Sequence, residues 1–328
     1  MKSIIKLLRQ FDAFAFINAP SVDITSNYNG DVADVIMQAI VLGNEAVEKG
    51  SVHVEPDVTK KLSIPVLTTK EDIIAFAVET PTVAAEAFVW TEQAIDPVSM
   101  MVFDFINPRY FEQAWRPFQP VGPLVDKVDN PRIKTAILEA TGGVIGKQLG
   151  KLIWQGDVTA TPGPLEFFDG FVKRIGAEAT SIKPTPQGPI TAANVIAVLE
   201  AVEAAIPSSI WSDTDVVFHM NTTDFRLYLQ AARALDFKGP NIGDAMEARF
   251  AGRQIRYYEG MAKDNVIVAK GTLGQNSNLW AGVNAENDPS NIKIERYRPE
   301  SELFILKVLF SMNVNFAIGK ELVIYEPA

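Results

Sequence analysis

The sequence predicts an α+β protein of more than one lobe, organised around one long helix. Three observations predict it. Residues 129–156, DNPRIKTAILEATGGVIGKQLGKLIWQG, carry a helix with both ends marked. Segments on either side alternate apolar and polar residues between turn formers, as strands do. The chain has 328 residues, more than a single core comfortably supports.

The central helix is specified locally. Asn130 can cap the first turn, and Pro131 suits the first helical position, where a missing N–H costs nothing. Ile133, Ile137, Ala140, Val144, Leu149, Leu152 and Ile153 recur at three- and four-residue steps and predict one apolar stripe, and Gly156 closes the helix. Gly142, Gly146 and Gly150 sit four apart. Each costs roughly 1 kcal/mol against alanine in a helix, so another backbone is expected to approach there, or the helix to bend. The same stretch nearly spells a phosphate-binding loop, TGGVIGKQ, but fails it three times. Thr141 replaces the first glycine, Gln148 replaces the hydroxyl residue after the lysine, and a helix precedes it where a strand is needed.

Before the helix, residues 3–16 form an amphipathic pattern, with Ile4, Leu7, Leu8, Phe11 and Phe14 or Ala15 on one side and Lys6, Arg9 and Asp12 elsewhere. Such a helix packs on its own domain, lies on a neighbour, or rests on a membrane surface. Lys6, Arg9, Gln10 and Asp12 interrupt every apolar core a signal peptide would need, which points to a cytoplasmic product. Turn formers fill residues 21–30, residues 32–47 have a helical period, and residues 60–66 alternate as an edge strand. Residues 71–107 then contain no Lys or Arg, against Glu71, Asp72, Glu79, Glu86, Glu92, Asp96 and Asp104. Such a run is either a solvated face or the edge of a segment that meets a cationic partner. IIAFAVE and AAEAFVW, separated by Thr80-Pro81-Thr82, predict two strands of a long hairpin too exposed to be stable alone. Asn107-Pro108 and residues 116–123 are connectors.

After the helix, the Pro/Gly linker at residues 183–189 opens another lobe. Thr191 is expected to cap a helix, TAANVIAVLEAVEAAI; residues 215–220, DVVFHM, form a buried strand; and Asn221-Thr222-Thr223-Asp224 starts a helix through Leu235. Strands are expected at residues 252–258 and 266–270, joined around Glu259-Gly260, and then at 279–283, 291–298, 303–318 and 321–325. Asn284, Glu286, Asn287 and Asp288 lack the spacing and glycine of a calcium loop and make a polar turn before Pro289.

Composition narrows the function. With 40 acidic against 30 basic residues the net charge is −10, which disfavours tight nucleic-acid binding but is no obstacle to confining DNA inside a shell. Cysteine is absent, so disulfides and thiolate metal sites are excluded. No apolar run approaches the ~20 residues of a membrane span. The only histidines, His53 and His219, carry no carboxylate motif, and a catalytic centre would have to pair His219 with Asp213 or Asp215.

The stretch IWQGDVTATPGPLEFFDGFVKRI, residues 153–175, joins an aromatic helix end, a Gly-Asp turn, a Gly/Pro loop and Phe-Asp-Gly-Phe. Together with SIPVLTTKEDIIAF before the helix, and GRQIRYYEGMAKDNVIVAK and NLWAGVNAENDPSNIKIERY after it, it resembles the major capsid proteins of tailed bacteriophages, which share the Hong Kong 97 fold.

The resemblance implies an N-terminal arm (1–58), an extended β-hairpin loop (59–112), a peripheral domain with the spine helix (113–175), an axial domain (176–297), and C-terminal strands returning to both domains (298–328). It implies a structural, non-enzymatic protein without catalytic, cofactor-binding or metal-binding residues. Copies assemble into pentamers and hexamers of an icosahedral head that encloses double-stranded DNA without reading its sequence and touches no membrane. A portal, and scaffolding and cement proteins, are the further partners. Its place is the virion, built in the bacterial cytoplasm.

In such proteins the extended loop lies on an adjacent subunit, so the acidic Glu79, Glu86 and Glu92 are expected to meet Arg132, Lys134, Lys147 and Lys151 of the central helix between subunits. No lysine lies between Lys70 and Lys127, so the lysine–asparagine cross-link of some relatives is not expected, and denatured capsids should run as monomers. An encapsulin-type nanocompartment shell shares the fold and is the nearest alternative. A soluble enzyme using His219 is the other.

Overall fold

A computed structural model describes residues 44–69, 88–107, 131–160, 163–234, 248–284, 292–298 and 303–327. The chain divides into two units, residues 37–100, 142–287 and 310–328 forming the larger, and residues 1–36, 101–141 and 288–309 the smaller. In order, the elements are α1 (Glu45–Glu48), β1 (His53–Glu55), β2 (Leu62–Thr69), β3 (Phe88–Ile95), β4 (Val98–Ile106) and the long α2 (Pro131–Gln155). There follow α3 (Phe171–Ala177), α4 (Val195–Ala204), α5 (Ser208–Trp211), β5 (Val216–Asn221), α6 (Thr222–Ala234), β6 (Arg249–Phe250), β7 (Arg253–Tyr258) and β8 (Val266–Lys270). The chain closes with β9 (Leu279–Asn284), β10 (Ile292–Arg296), β11 (Phe304–Phe316) and β12 (Val323–Tyr325).

The larger unit is built on a five-stranded sheet in the order β12-β8-β5-β7-β6. Its centre is β5, VVFHMN, whose every residue is buried, as a strand covered on both faces requires. Phe218 pairs with Ile255 of the parallel β7 and with Val268 of the antiparallel β8. One apolar cluster joins Val195, Val198, Leu199 and Val202 of α4 to Phe218, Val268 and Tyr325. Asn221 ends β5 and starts α6, because its Oδ1 accepts from the Thr223 N–H at 2.7 Å. A second ladder places β9 between β1, parallel, and residues 311–316 of β11, antiparallel. Residues 44–58 pack into this unit, with Ala46, Val47, Val52 and Val58 buried.

In the smaller unit, β10 pairs with residues 304–308 of β11. Phe103, Phe105 and Tyr297 meet edge to face there, at 5.3 and 5.2 Å between ring centroids, and all three are exposed. Strand β4 pairs with β11.

Several expectations need correction. Val144 was placed on the buried stripe of the helix but is 58% exposed. At 3.6 residues per turn it lies about 140° round from Leu149, and Ile145 takes the buried position with Leu149, Leu152 and Ile153. Thr191 does not open the helix directly. Its N–H and hydroxyl both bond Asn194 Oδ1, a turn forms over residues 192–194, and α4 starts at Val195. Strands β7 and β8 are consecutive in sequence but not paired, since β5 inserts between them. The edge strand expected at residues 60–66 is an arm of the hairpin itself: β2 pairs with β3 from Leu62↔Ile95 to Thr69↔Phe88. IIAFAVE, the N-terminal helix and the calcium-like turn beyond Asn284 lie outside the described residues.

Candidate assembly surfaces

The hairpin has two unlike faces, set by strand alternation. Ile64, Val66 and Ile95 turn inward and are buried. On the other face the register brings Pro65 opposite Glu92 and Leu67 opposite Trp90, next to Phe88, and all of these are exposed. Leu67, Trp90 and Phe88 are 56%, 60% and 64% exposed. Burying each would contribute roughly 1.5–3 kcal/mol, so the three together form an exposed apolar patch. Glu92 is the one fixed charge on it, accepting from Ser63 Oγ at 3.0 Å and from the Trp90 indole N–H at 3.2 Å. The base is held by the side-chain amides of Asn313 and Asn315, which donate to the Asp96 and Ala94 carbonyls at 2.6 and 2.7 Å.

Of the expected basic partners, Lys147 and Lys151 lie exposed one turn apart on α2, beside Gly143 and Val144. An added Cβ at Gly143 would meet nothing within 4 Å, so this part of the helix surface is open. Arg132 and Lys134 lie on α2 with side chains outside the description, and Glu79 and Glu86 lie outside the described residues. Among the described residues, Glu92 has Ser63 and Trp90 as its hydrogen-bond partners.

The motif that carries the resemblance folds into a knot at the helix end. Gly156 N–H closes α2 on the Leu152 carbonyl at 2.9 Å, and Gly170 N–H bonds the Gly156 carbonyl at 2.8 Å. The two backbones touch: a Cβ on Gly170 would lie 2.7 Å from Gly156 N, and one on Gly156 would lie 2.7 Å from the Leu152 carbonyl and closer still to that of Phe168. Lys173 ties the loop across, bonding Asp157 and, at 2.8 Å, Asp169. The i,i+4 spacing of Asp169 and Lys173 was a visible signal for this clamp.

The hydrogen bond from Lys173 holds Asp157 down to about 2, helped by Thr159. Partial burial pushes Asp169 up, but the bonds from Lys173 and from the Val158 N–H outweigh it and leave it below its usual range. Both aspartates are thus depressed in the folded state, so their contribution is present above the unfolded value near 4 and is lost as pH falls toward 2. Lys173→Met should therefore lower the urea midpoint at pH 7, and the gap from wild type should close as the titration reaches pH 2.

Among the described residues His219 joins no triad. It is fully buried, its Nδ1 faces Tyr258 Oη at 3.1 Å, and its ring lies 5.6 Å from that of Trp154 on α2. Nε2 has no partner among the described residues. Asp213 is instead paired with Lys270 at 2.8 Å. Tyr258 continues the network to Ser51, which Arg256 also reaches, at 2.9 Å. Burial, with the Arg256 charge second, lowers His219 to about 3, so it stays neutral and locks helix, strand and the 44–58 segment together.

Asp224 runs the other way: burial lifts it to about 6, although the Asp264 N–H donates to it at 2.8 Å. For His219 the folded state binds fewer protons between about 6.5 and 3, so stability falls with acid. For Asp224 it binds more between about 6 and 4, so stability rises. Chemical denaturation at each pH should show His219→Phe less acid-sensitive than wild type across pH 6 to 4, and Asp224→Asn more acid-sensitive than wild type.

Among the described residues, no three His, Asp or Glu side chains gather into a metal cage, and no helix is long and apolar enough to cross a membrane. No family model matches the sequence, and no curated protein aligns with it. Solved structures do match. A chain of the satellite phage P4 procapsid superposes with a TM-score of 0.58 at 11% identity, covering 98% of this chain and 97% of that one. The capsid of an empty GTA particle gives 0.57 at 12% identity, covering 98% and 97%. The chain has a phage-capsid fold. The capsid of Myoviridae phage XM1 agrees, with 0.55 at 9% identity over 96% and 98%. At these identities the capsid fold is what is shared, and individual residue roles do not transfer.

Proposed function

We propose that this chain is a major capsid protein of the Hong Kong 97 type, assembling as pentamers and hexamers into an icosahedral phage head around double-stranded DNA. The observation that carries this reading is the end-to-end match with capsid chains, at 96–98% coverage of this chain. The exposed hairpin face supports it. A surface with Leu67, Phe88 and Trp90 gains stability from a second copy, and closed symmetry repeats that gain around the shell. The role is structural rather than catalytic, and portal, scaffolding and cement proteins complete the particle.

In this reading the arm spans residues 1–58, of which 44–58 pack into the larger unit. The hairpin of residues 59–112 reaches a neighbour's spine helix, residues 113–175 form the peripheral domain, 176–297 the axial domain, and 298–328 return to both. Glu92, with Glu79 and Glu86, faces Lys147 and Lys151, with Arg132 and Lys134, across that contact. Negative-stain microscopy of the purified chain, alone and with a co-expressed scaffold, tests this. Closed shells are expected, and a protein that stays monomeric at high concentration in both cases refutes it.

A nanocompartment shell is a second reading, favoured by the match to a virus-like particle from Pyrococcus furiosus, with a TM-score of 0.51 at 10% identity, covering 91% of this chain and 100% of that one. Neighbouring genes decide between them: portal, terminase and tail genes on one side, a cargo-enzyme gene on the other.

A further inference from the structure

A groove of about 620 Å³ opens beside the hairpin base within the larger unit. Its lining includes Pro65 and Leu67 of β2 and Trp280. Its charged lining is Asp213, Asp215 and Glu321 against a single cation, Lys270. Lys270 is already committed, 2.8 Å from Asp213 and 3.4 Å from Glu321, so the groove keeps an excess of negative charge next to apolar surface. Strand β2 has β3 on one edge only, so its other edge has no strand partner among the described residues. The shape and charge ask for an amphipathic, cationic segment.

The sequence supplies one. Lys6 and Arg9 share one side of the helix expected over residues 3–16, Lys2 precedes it in line with them, and Ile4, Leu7 and Leu8 lie on the other side. No such cluster exists in residues 71–107. We propose that this groove receives the basic face of residues 2–9 from a neighbouring copy of the chain, threading each subunit to the next. The proposal rests on the shell reading and adds to it a defined receptor for the arm.

The absence of cysteine makes the test clean. Thr214→Cys, on the exposed groove wall, is combined with Ser3→Cys or with Gln10→Cys, which leave the three basic residues in place, and particles are oxidised and run on a non-reducing gel. A disulfide forms only where the Cα atoms approach within about 7 Å, so a ladder of dimers and higher multimers in at least one pair is expected. Adding Asp215→Lys should reduce the cross-link yield roughly two- to fivefold, the worth of an exposed ion pair, and Lys6→Glu should restore it. Shells that form without any inter-chain disulfide, or with a disulfide within one chain, overturn the groove assignment and leave the shell reading standing. A wild-type chain that gives no shells removes that reading and this inference with it.

Discussion

Gly156→Ala is expected to lower the melting temperature by roughly 6–12 °C, because its clash is with backbone on both sides. The new Cβ would sit 2.7 Å from the Leu152 carbonyl, inside the helix's own last turn, and closer to that of Phe168. Neither oxygen belongs to a side chain that can swing away. The Phe168 loop is pinned by the Gly170 N–H to Gly156 carbonyl bond, and the helix end by Trp154, buried against Phe171 and Tyr258. Overpacking of a rigid site costs about 3 kcal/mol, and each kcal/mol shifts a domain of this size by about 2–4 °C. Gly143→Ala provides the contrast. An added methyl there meets nothing within 4 Å, so helix propensity alone acts and favours alanine by up to about 1 kcal/mol. Differential scanning calorimetry of the two variants should show shifts of opposite sign, and a Gly156→Ala protein melting with wild type would mean that the knot does not hold the helix end.

That knot illustrates how far the sequence was legible. The long helix, with Pro131 at its first position and Gly156 after its last, follows from local rules, as do β8 at Val266–Lys270 and the Asn221 cap of α6. The close backbone approach expected at the helix glycines does occur at Gly150, but the residue that it requires to be glycine lies elsewhere in the chain. A Cβ on Gly260 would meet Lys151 N at 2.9 Å, whereas one on Gly150 would meet Asn44 Oδ1 at an ordinary 3.7 Å; the Gly260 carbonyl accepts from the Gln155 side chain at 2.7 Å. Long-range order was not legible. Nothing in β7 and β8 announces that β5 lies between them, since pairing partners are chosen by the whole sheet rather than by neighbouring residues. Likewise DVVFHM marked a buried strand but not that its histidine would face Trp154 and Tyr258. Of the charged residues expected at an interface, the sequence placed Lys147 and Lys151 one turn apart on the helix, but neither the openness of the surface beside them nor the orientation of Glu92 by Ser63 and the Trp90 indole was legible.

Lys147→Glu with Lys151→Glu should abolish or severely reduce shell formation while leaving the subunit folded. Both side chains are exposed, so the melting temperature of the free chain should stay within about the small range of surface substitutions, ±0.5 kcal/mol. At the proposed contact between copies the effect is larger. The hairpin brings Glu92 already oriented, without the entropy cost of ordering a free side chain, and the aromatic face around it excludes water and weakens screening. Reversing both lysines replaces attraction with repulsion at every repeat of the contact, and opposed like charges at an interface cost several kcal/mol. Glu92→Lys in the reversed background should recover part of the assembly, because the sign of the pair is restored although the hydrogen bonds to Ser63 and Trp90 are not. Light scattering and microscopy on the wild type, the lysine double variant and the triple variant decide the matter. Normal particles from the double variant would show that the hairpin rests elsewhere, whereas loss in the double variant with recovery in the triple places Glu92 against this face of a neighbouring helix.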